Sequence, residues 1–386
     1  MSQPKIIHNG VILGLMSGTS ADGLDVAVCD VKSSSKLSFI EGYSFPYPDK
    51  LREHIIKLQV SMTENDLNSD GIKQLDQQIA DFVIHACQES IEKSSVDRNA
   101  IVAIANHGQT ILHQPNARKP FSLQIGNAQR IADALNMMVI NDFRKDDIKA
   151  GGQGAPLIPA FHQAMFQQFA PCNIINIGGI ANITSLGKDH IIGFDIGPGN
   201  TLLDQWNRLH KNTPFDKNGD WARSGECLQP LLNTLLDEPY FSAPHPKSTG
   251  QDLFNLTWLN KKLSSLSYNE ALRYQSIAAN DIQHTLSLLT AQSIAQTIKG
   301  LEHVTHPIFI CGGGVHNTHL IEQLQFMLPQ THISSTADIG IDPNWVEAIG
   351  FAWLGYCRLN NLTTNIPEVT GATANVCLGT ITEPRQ

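Results

Sequence analysis

The sequence predicts an α/β protein built from two similar halves, on three observations. A strand, a glycine-rich turn and a second strand occur at residues 11–32 and again at 173–187. Two further apolar runs, IIGFDIGPGN (191–200) and PIFICGGGVHN (307–317), also end in glycine clusters. Segments with helical spacing lie between such strands, the signature of a layered α/β arrangement. The length of 386 residues exceeds what one core usually supports, so two domains are expected.

The elements follow in order. VILGLM is apolar, SGTSADG is turn-rich, and LDVAVCDV alternates with Leu24, Val26 and Val28 on one face. That spacing predicts a β-hairpin, with KSSSK (32–36) as the tip leading onward. Ile72, Leu75, Ile79, Phe82, Ala86 and Ile91 recur at helical spacing, so an amphipathic helix is expected. IVAIANHG is a short buried strand ending in polar residues. NIINIGG runs into glycines and IANITSLG returns, a second hairpin. After FDIGPGN, the stretch NTLLDQWNRL is helical with Asn200 as its candidate cap. CGGGVHN leads into a helix through Ile321 and Leu324. Every one of these glycine turns follows a strand, and ligands of α/β sheets sit beyond the carboxyl ends of strands. A duplicated fold with a cleft between two lobes is therefore the expectation.

Bulk properties narrow the function. With 41% apolar and 16% charged residues, the chain is ordinary globular material. A net charge of −9 argues against a general nucleic-acid binder or a membrane-surface protein. The seven cysteines are widely spaced, without a C-x-x-C, and most lie in apolar runs. Buried free thiols in a reducing compartment are expected. MSQPKIIHNG lacks a secretory h-region, and no apolar run approaches the ~20 residues of a membrane span. A cytoplasmic protein follows.

Six constellations are candidates for chemistry. GLMSGTSADGLD (14–25) has the glycines, hydroxyls and acids of a phosphate loop, but no lysine and no G-x-x-x-x-G-K-[ST] pattern. Backbone N–H groups of such a turn can line a concavity for phosphate oxygens. Ser17, Thr19 and Ser20 add hydroxyls, and Asp22 or Asp25 suits Mg²⁺ through water. The plainer alternative is a hairpin turn in which Asp and Gly serve geometry alone. GGIANIT, with Gly178, Gly179, Asn182 and Thr184, is a second copy of that loop or merely close sheet packing. Asp195 ends a strand, where a carboxylate reaches a cleft as a general base, or simply serves an Asx turn. Arg144, in NDFRKDDIKAGGQGAPL, pairs with neighbouring acids or grips an acidic substrate group. CGGG (311–314) admits a flat adenine or ribose, or packs helix on strand; His316 and His319 are expected as surface or capping groups. His107, Gln109 and Gln124 suit sugar hydroxyls, or satisfy loop backbones.

Taken together, GLMSGTSADGLD, NHGQTILHQP, NDFRKDDIKAGGQGAPLIPAFH, NIGGIANIT, GFDIGPGN, PKSTG and CGGGVHN resemble the anhydro-N-acetylmuramic acid kinase family, from residue 11 to the VTGATANVCLG segment. One departure is Gln251–Asp252 after KSTG, where the family often has arginine-glutamate. The resemblance implies a two-lobed actin-like ATPase fold of duplicated ribonuclease-H-like domains with a central nucleotide cleft. It assigns residues 1–142 with about 360–386 to an N-terminal lobe and 143–359 to a C-terminal lobe. It implies ATP held by Gly18, Thr19, Ser20, Ala21, Asp22, Gly23, Leu24, Asp25, Gly178, Gly179, Asn182, Gly312, Gly313 and Gly314. Mg²⁺ would meet Asp22 or Asp25, and the sugar would meet His107, Gln109, Gln124, Arg144 and Asp195. Asp195 matches the catalytic aspartate, Arg144 a substrate-contacting arginine, and Glu347 an active-site glutamate. A homodimer working on a small anhydro-sugar is implied as well. Two rivals stand beside this reading: a kinase of another sugar, and a nucleotide switch without sugar chemistry. Arg144, Asp195 and Glu347 argue against the switch, which needs no second polar constellation.

Overall fold

A computed structural model describes residues 9–62, 69–115, 117–188, 190–266, 278–301 and 306–385. The chain forms two compact units, Met1–Phe166 with Trp345–Gln386, and Gln167–Asn344.

The first unit carries β1 (Gly10–Met16), β2 (Gly23–Ser33), β3 (Lys36–Pro46), β4 (Ile101–Asn106), β5 (Gln109–Gln114), β6 (Phe121–Ile125), β7 (Val139–Asn141) and, from the C-terminal segment, β13 (Thr380–Thr382). Its main sheet runs β13-β7-β4-β1-β2-β3, and β5 and β6 form a separate hairpin. β1, β2 and β3 are antiparallel neighbours, while β4 lies parallel to β1 and β7 parallel to β4. The expected hairpin is present, closing on Met16 opposite Asp25. Alternation sorts its side chains: Val11, Leu13, Leu15, Leu24, Val26 and Val28 share one core with the helix Asp70–Lys93. That helix turns Ile72, Leu75, Ile79, Val83 and Ala86 inward, and the Ser69 side chain accepts from the Ile72 N–H at its start.

Another helix, Val346–Leu359, packs against β1 and β2. A β-carbon on Gly14 would clash with the Ala348 carbonyl oxygen, and one on Gly355 would strike Ala105. Only glycine permits this approach of strand and helix backbones. The packing joins the stretch from Trp345 onward, and residues 143–166, to the first unit. These units divide the chain at 166/167 and 344/345, whereas the sequence-based expectation places its lobes at 142/143 and about 359/360.

The second unit carries β8 (Cys172–Ile177), β9 (Ile180–Leu186), β10 (Ile191–Pro198), β11 (Ile308–Cys311) and β12 (Ile333–Ser335), ordered β10-β9-β8-β11-β12. Again the first three strands are antiparallel and the last two run parallel to the first. In each unit the first strand sits between the second and the fourth, giving the order third-second-first-fourth-fifth. The two units therefore share one ribonuclease-H-like topology, the duplication that the repeated hairpin predicts. Ile175, Ile177, Ile183, Phe194, Ile294, Ile298, Leu320 and Leu324 bring the helices Ala279–Gly300 and Thr318–Met327 onto this sheet. The helix after β10 spans Thr201–Lys211, but Asn200 does not cap it through its side chain. Its amide donates instead to the Ile177 carbonyl at 3.0 Å, tying the helix start to the end of β8.

The cysteines are free; five are buried, Cys377 is half-buried, and Cys227 is exposed. Among the described residues, no helix is long and apolar enough to cross a membrane.

Candidate active site

The first hairpin turn is held from beneath by buried polar groups. Ser17 Oγ shares its one proton between Gln109 Oε1 at 2.6 Å and the Gly23 carbonyl at 2.8 Å, and Tyr47 donates to Ser17 Oγ at 3.1 Å. Gln109 Nε2 reaches the Gly18 carbonyl at 3.1 Å, and Gln59 Nε2 the Thr19 carbonyl at 3.0 Å. A trans peptide points its N–H opposite to its C=O. Carbonyls of Gly18 and Thr19 drawn onto the protein therefore turn the N–H groups of Thr19 and Ser20 the other way, as an anion-binding turn requires. Ala21, fully buried at φ 53°, closes the turn. Gln109 is itself fully buried and engaged on this loop and on Thr110, so its side chain serves the turn. Gln124 donates to Thr110 Oγ1 and Ser122 Oγ on the β5–β6 hairpin.

The two acids of the loop differ. Asp22 is exposed and pairs with Arg52 at 3.2 Å. Asp25, inside β2, accepts from Ser44 Oγ at 2.5 Å. Burial holds the Asp25 carboxyl above its usual range despite that bond. Among the described residues Asp25 has no cation partner, and a half-desolvated carboxylate of that kind would gain from a hydrated Mg²⁺, which binds through few carboxylates and keeps its waters. Asp25 fits that ion; Asp22 already has a guanidinium.

Elsewhere in the first unit, Arg144 stands just before the short helix Lys145–Lys149. The acids of its own segment are engaged elsewhere. Asp142 and Asp146 pair with Lys145 and Lys149. Arg144 instead donates from Nε and Nη2 to His107 Nε2, at 3.1 and 3.0 Å, and from Nη1 to the Gly154 carbonyl at 2.8 Å. Since His107 Nε2 accepts, its proton is on Nδ1, a buried N–H with no hydrogen-bond partner among the described residues. Burial, and then the charge of Arg144, push the His107 imidazole well below its usual range, so it is neutral. His107 packs against Phe351 with ring centroids 4.7 Å apart and planes tilted by 44°. Glu347 is one helical turn before Phe351 and faces the same side. Burial lowers the Arg144 guanidinium to about 10, and Glu347 opposes that shift. Arg144 stays charged at neutral pH.

Asp147 anchors the loop that carries Gly154. It is fully buried and accepts from the Gly154 N–H at 2.7 Å, Thr370 Oγ1 at 2.7 Å and Asn365 Nδ2 at 3.0 Å. A β-carbon on Gly152 would collide with its carboxylate. The GGQGAP run is thus shaped around a buried acid.

In the second unit, Asp195 lies on edge strand β10, opposite Asn182, at a bulge. Its Oδ2 accepts one hydrogen bond, from the Thr249 N–H at 3.0 Å. Burial pushes its carboxyl up to about 6, with the Thr249 bond opposing. The glycine turns meet nearby in sequence order. Gly178 and Gly179 carbonyls accept from the N–H groups of Asn200, Gly199 and Thr201 at 2.8, 2.9 and 3.0 Å. By the same peptide geometry, the N–H groups of Gly179 and Ile180 turn away from that contact. In CGGG, Gly312 (φ 77°) and Gly314 are packed against Asn176 and Ile177. Close packing explains these two, whereas Gly313 is exposed and a β-carbon there would meet Asn200 Nδ2 at 3.8 Å, an ordinary contact. His316 bonds Asn344 Oδ1 at 2.8 Å, while His319 is buried beside Gln323 and His284 rather than at the surface.

A family model described as anhydro-N-acetylmuramic acid kinase matches residues 10–384. The chain belongs to the anhydro-N-acetylmuramic acid kinase family. An anhydro-N-acetylmuramic acid kinase of Pasteurella multocida is 43% identical over 372 residues, covering 96% of each chain. Another, of Haemophilus influenzae, is 42% identical over 375 residues, 96% of this chain and 97% of its own. A third, of a Shewanella species, is 43% identical over 376 residues, 97% and 98% respectively. Among solved structures, a glucokinase of the ROK family from Streptomyces griseus, in complex with glucose and AMPPNP, is a distant likeness. Its TM-score is 0.37 and its identity 12%, covering 89% of this chain and 97% of its own.

For this member of the kinase family, the sequence-expected residues fall into separate groups in the two units. Within the first, the hairpin turn, Gln109, His107 and Arg144 are joined by hydrogen bonds or by direct chain continuity. Within the second, Asp195 and Asn182 face each other on β10 and β9, and Gly178 and Gly179 form the turn between β8 and β9. Sequence reasoning missed Tyr47, Gln59, Asp147 and Phe351 in the first unit, and Tyr240, Lys247 and Thr249 in the second. The PKSTG motif was the visible signal for the last two, and a buried acid before a glycine run was the signal for Asp147.

Proposed function

We propose that the protein is an ATP-dependent kinase that opens the 1,6-anhydro ring of anhydro-N-acetylmuramic acid and phosphorylates O6. The products are N-acetylmuramate 6-phosphate and ADP, and the reaction belongs to the recycling of cell-wall peptidoglycan. Membership of the anhydro-N-acetylmuramic acid kinase family supports this. The observation that carries the mechanism is the environment of Asp195: a largely desolvated carboxylate whose oxygens, among the described residues, accept one hydrogen bond, raised to about 6. Such a group is ionised at neutral pH yet basic enough to take a proton.

In this reading Asp195 deprotonates water as its oxygen bonds to the anomeric carbon. The bond from that carbon to O6 breaks, and the electron pair goes to O6. O6 then bonds to the γ-phosphorus, and the β–γ bridge breaks to release ADP. Arg144 and Glu347 orient the water and the bridge. Neutral His107 cannot compete for the proton, because its acceptor nitrogen is occupied by Arg144. Its part is to aim the guanidinium. The N–H groups of Thr19 and Ser20, and those after Gly178 and Gly179, receive phosphate oxygens, with the exposed Gly313 on the adenosine side. Asp25 would hold Mg²⁺ through water, and the ion would supply charge neutralisation on the phosphates. Phosphoryl transfer relies chiefly on positioning and electrostatics, so a loop without lysine is adequate. The reading includes a cytoplasmic homodimer, as the family resemblance implies.

Asp195→Asn tests the base. Turnover is expected to fall ~10²–10⁴-fold with ATP binding retained in calorimetry. Near-normal turnover would remove Asp195 from the role.

A further inference from the structure

Asp195 is gripped at three atoms by one short segment. Its N–H donates to the Lys247 carbonyl at 3.1 Å, its carbonyl accepts from the Tyr240 hydroxyl at 2.6 Å, and its Oδ2 accepts from the Thr249 N–H at 3.0 Å. β10 is an edge strand, so residues 247–249 occupy hydrogen-bonding positions that would otherwise be open there. The ends of this strap are fastened to each other by the Lys247 side chain. Its ammonium donates to the carbonyls of Tyr240 and Phe241 at 2.9 and 3.1 Å. It also lies 4.7 Å from the Tyr240 ring centre and 5.8 Å from that of Phe194.

We infer that Lys247 is a positioning residue for Asp195: its ammonium staples the 240–249 strap closed, which sets the depth and direction of the carboxylate. The proposal rests on the reading of Asp195 as the base. It also gives the lysine of PKSTG a task other than phosphate binding. Two carbonyls and an aromatic face already surround the ammonium, an arrangement that fixes a cation in place. The titratable groups around Asp195 within this unit are Tyr240 and Lys247, together with His245, which stacks on Phe194 at 5.1 Å. Burial, reinforced by the charge of Asp195, pushes the Tyr240 phenol up, so it stays a donor.

The test is steady-state kinetics of Lys247→Met, Lys247→Arg and Tyr240→Phe across pH, with Asp195→Asn alongside. Loosening the strap misplaces the base and admits water to it. Lys247→Met should lower kcat ~10²-fold, as small misplacements do, with KM for ATP unchanged. The acid limb of its kcat/KM profile should move to lower pH, toward an ordinary carboxylate. Lys247→Arg should recover much of the loss. Tyr240→Phe removes only a hydroxyl, and should move kcat and the limb in the same direction by less. It keeps the test decisive if Lys247→Met does not fold. A Lys247→Met enzyme with a raised KM for ATP and an unmoved limb would make Lys247 a phosphate ligand and overturn the proposal. So would wild-type kcat and limb in Tyr240→Phe. Failure of the base reading is distinguishable, because it appears as turnover in Asp195→Asn whatever the Lys247 variants do.

Discussion

At the scale of single residues, environment tells several similar acids apart. Asp22, Asp25, Asp147 and Asp195 all sit beside glycine turns in the sequence, yet their surroundings differ. Asp22 has Arg52, Asp147 has three donors in a closed interior, and Asp25 has one serine hydroxyl. Asp195 alone of the four combines a raised carboxyl with a place on an edge strand of its sheet. This has a cost in stability that can be measured. With a folded value of about 6 and an unfolded value near 4, the native state binds the extra proton between those pH values. Stability therefore falls as pH rises through that window, and the penalty is complete above it. Asp195→Asn removes the penalty, and should be more stable than wild type at pH 7.5 by about 1–3 kcal/mol, less at pH 4.5. Urea unfolding at both values checks this; a pH-independent difference would contradict the burial argument.

At the scale of elements, backbone contact decides the neighbours. The helix Val346–Leu359 carries twelve buried residues along fourteen positions, so its apolar pattern identifies no single inward face. Gly14 names its partner, since any side chain there would clash with the Ala348 carbonyl. Gly14→Ala should destabilise the protein by about 2–3 kcal/mol through overpacking. Gly18→Ala, where only Ser20 Oγ lies within reach at 3.7 Å, should cost about 0.5 kcal/mol or less. Equal urea midpoints for the two variants would show that the strand and helix separate without penalty. The hairpins were legible because period-two alternation and glycine turns are local signals. The boundary near 142 was not, because the chain leaves the first unit at Phe166 and returns at Trp345. Long-range packing of that kind has no local signature.

At the scale of the whole molecule, two copies of one topology provide two glycine-turn hairpins, and each draws its turn carbonyls onto its own unit. The reaction proposed for them has a traceable atom. In heavy-oxygen water the product sugar should carry one labelled oxygen at its anomeric carbon, with none in the new phosphate ester. Mass spectrometry of promptly quenched product reads this. Unlabelled sugar would exclude opening by water, and label in the ester bridge would exclude attack by O6.

The sequence by itself determined the class of fold, its duplication, the glycine turns and the family, because all four depend on local pattern or on motifs in order. It also put Arg144, Asp195 and Glu347 forward as the polar groups of interest. Tertiary structure decided what surrounds them. Arg144 meets His107 and Gly154 rather than its neighbouring acids, Gln109 supports a turn, and a lysine 52 positions beyond Asp195 fastens the strap that holds it. The reason is physical: a pattern reports which face of an element is buried, whereas a hydrogen-bond partner is fixed by atoms that folding brings together from distant parts of the chain.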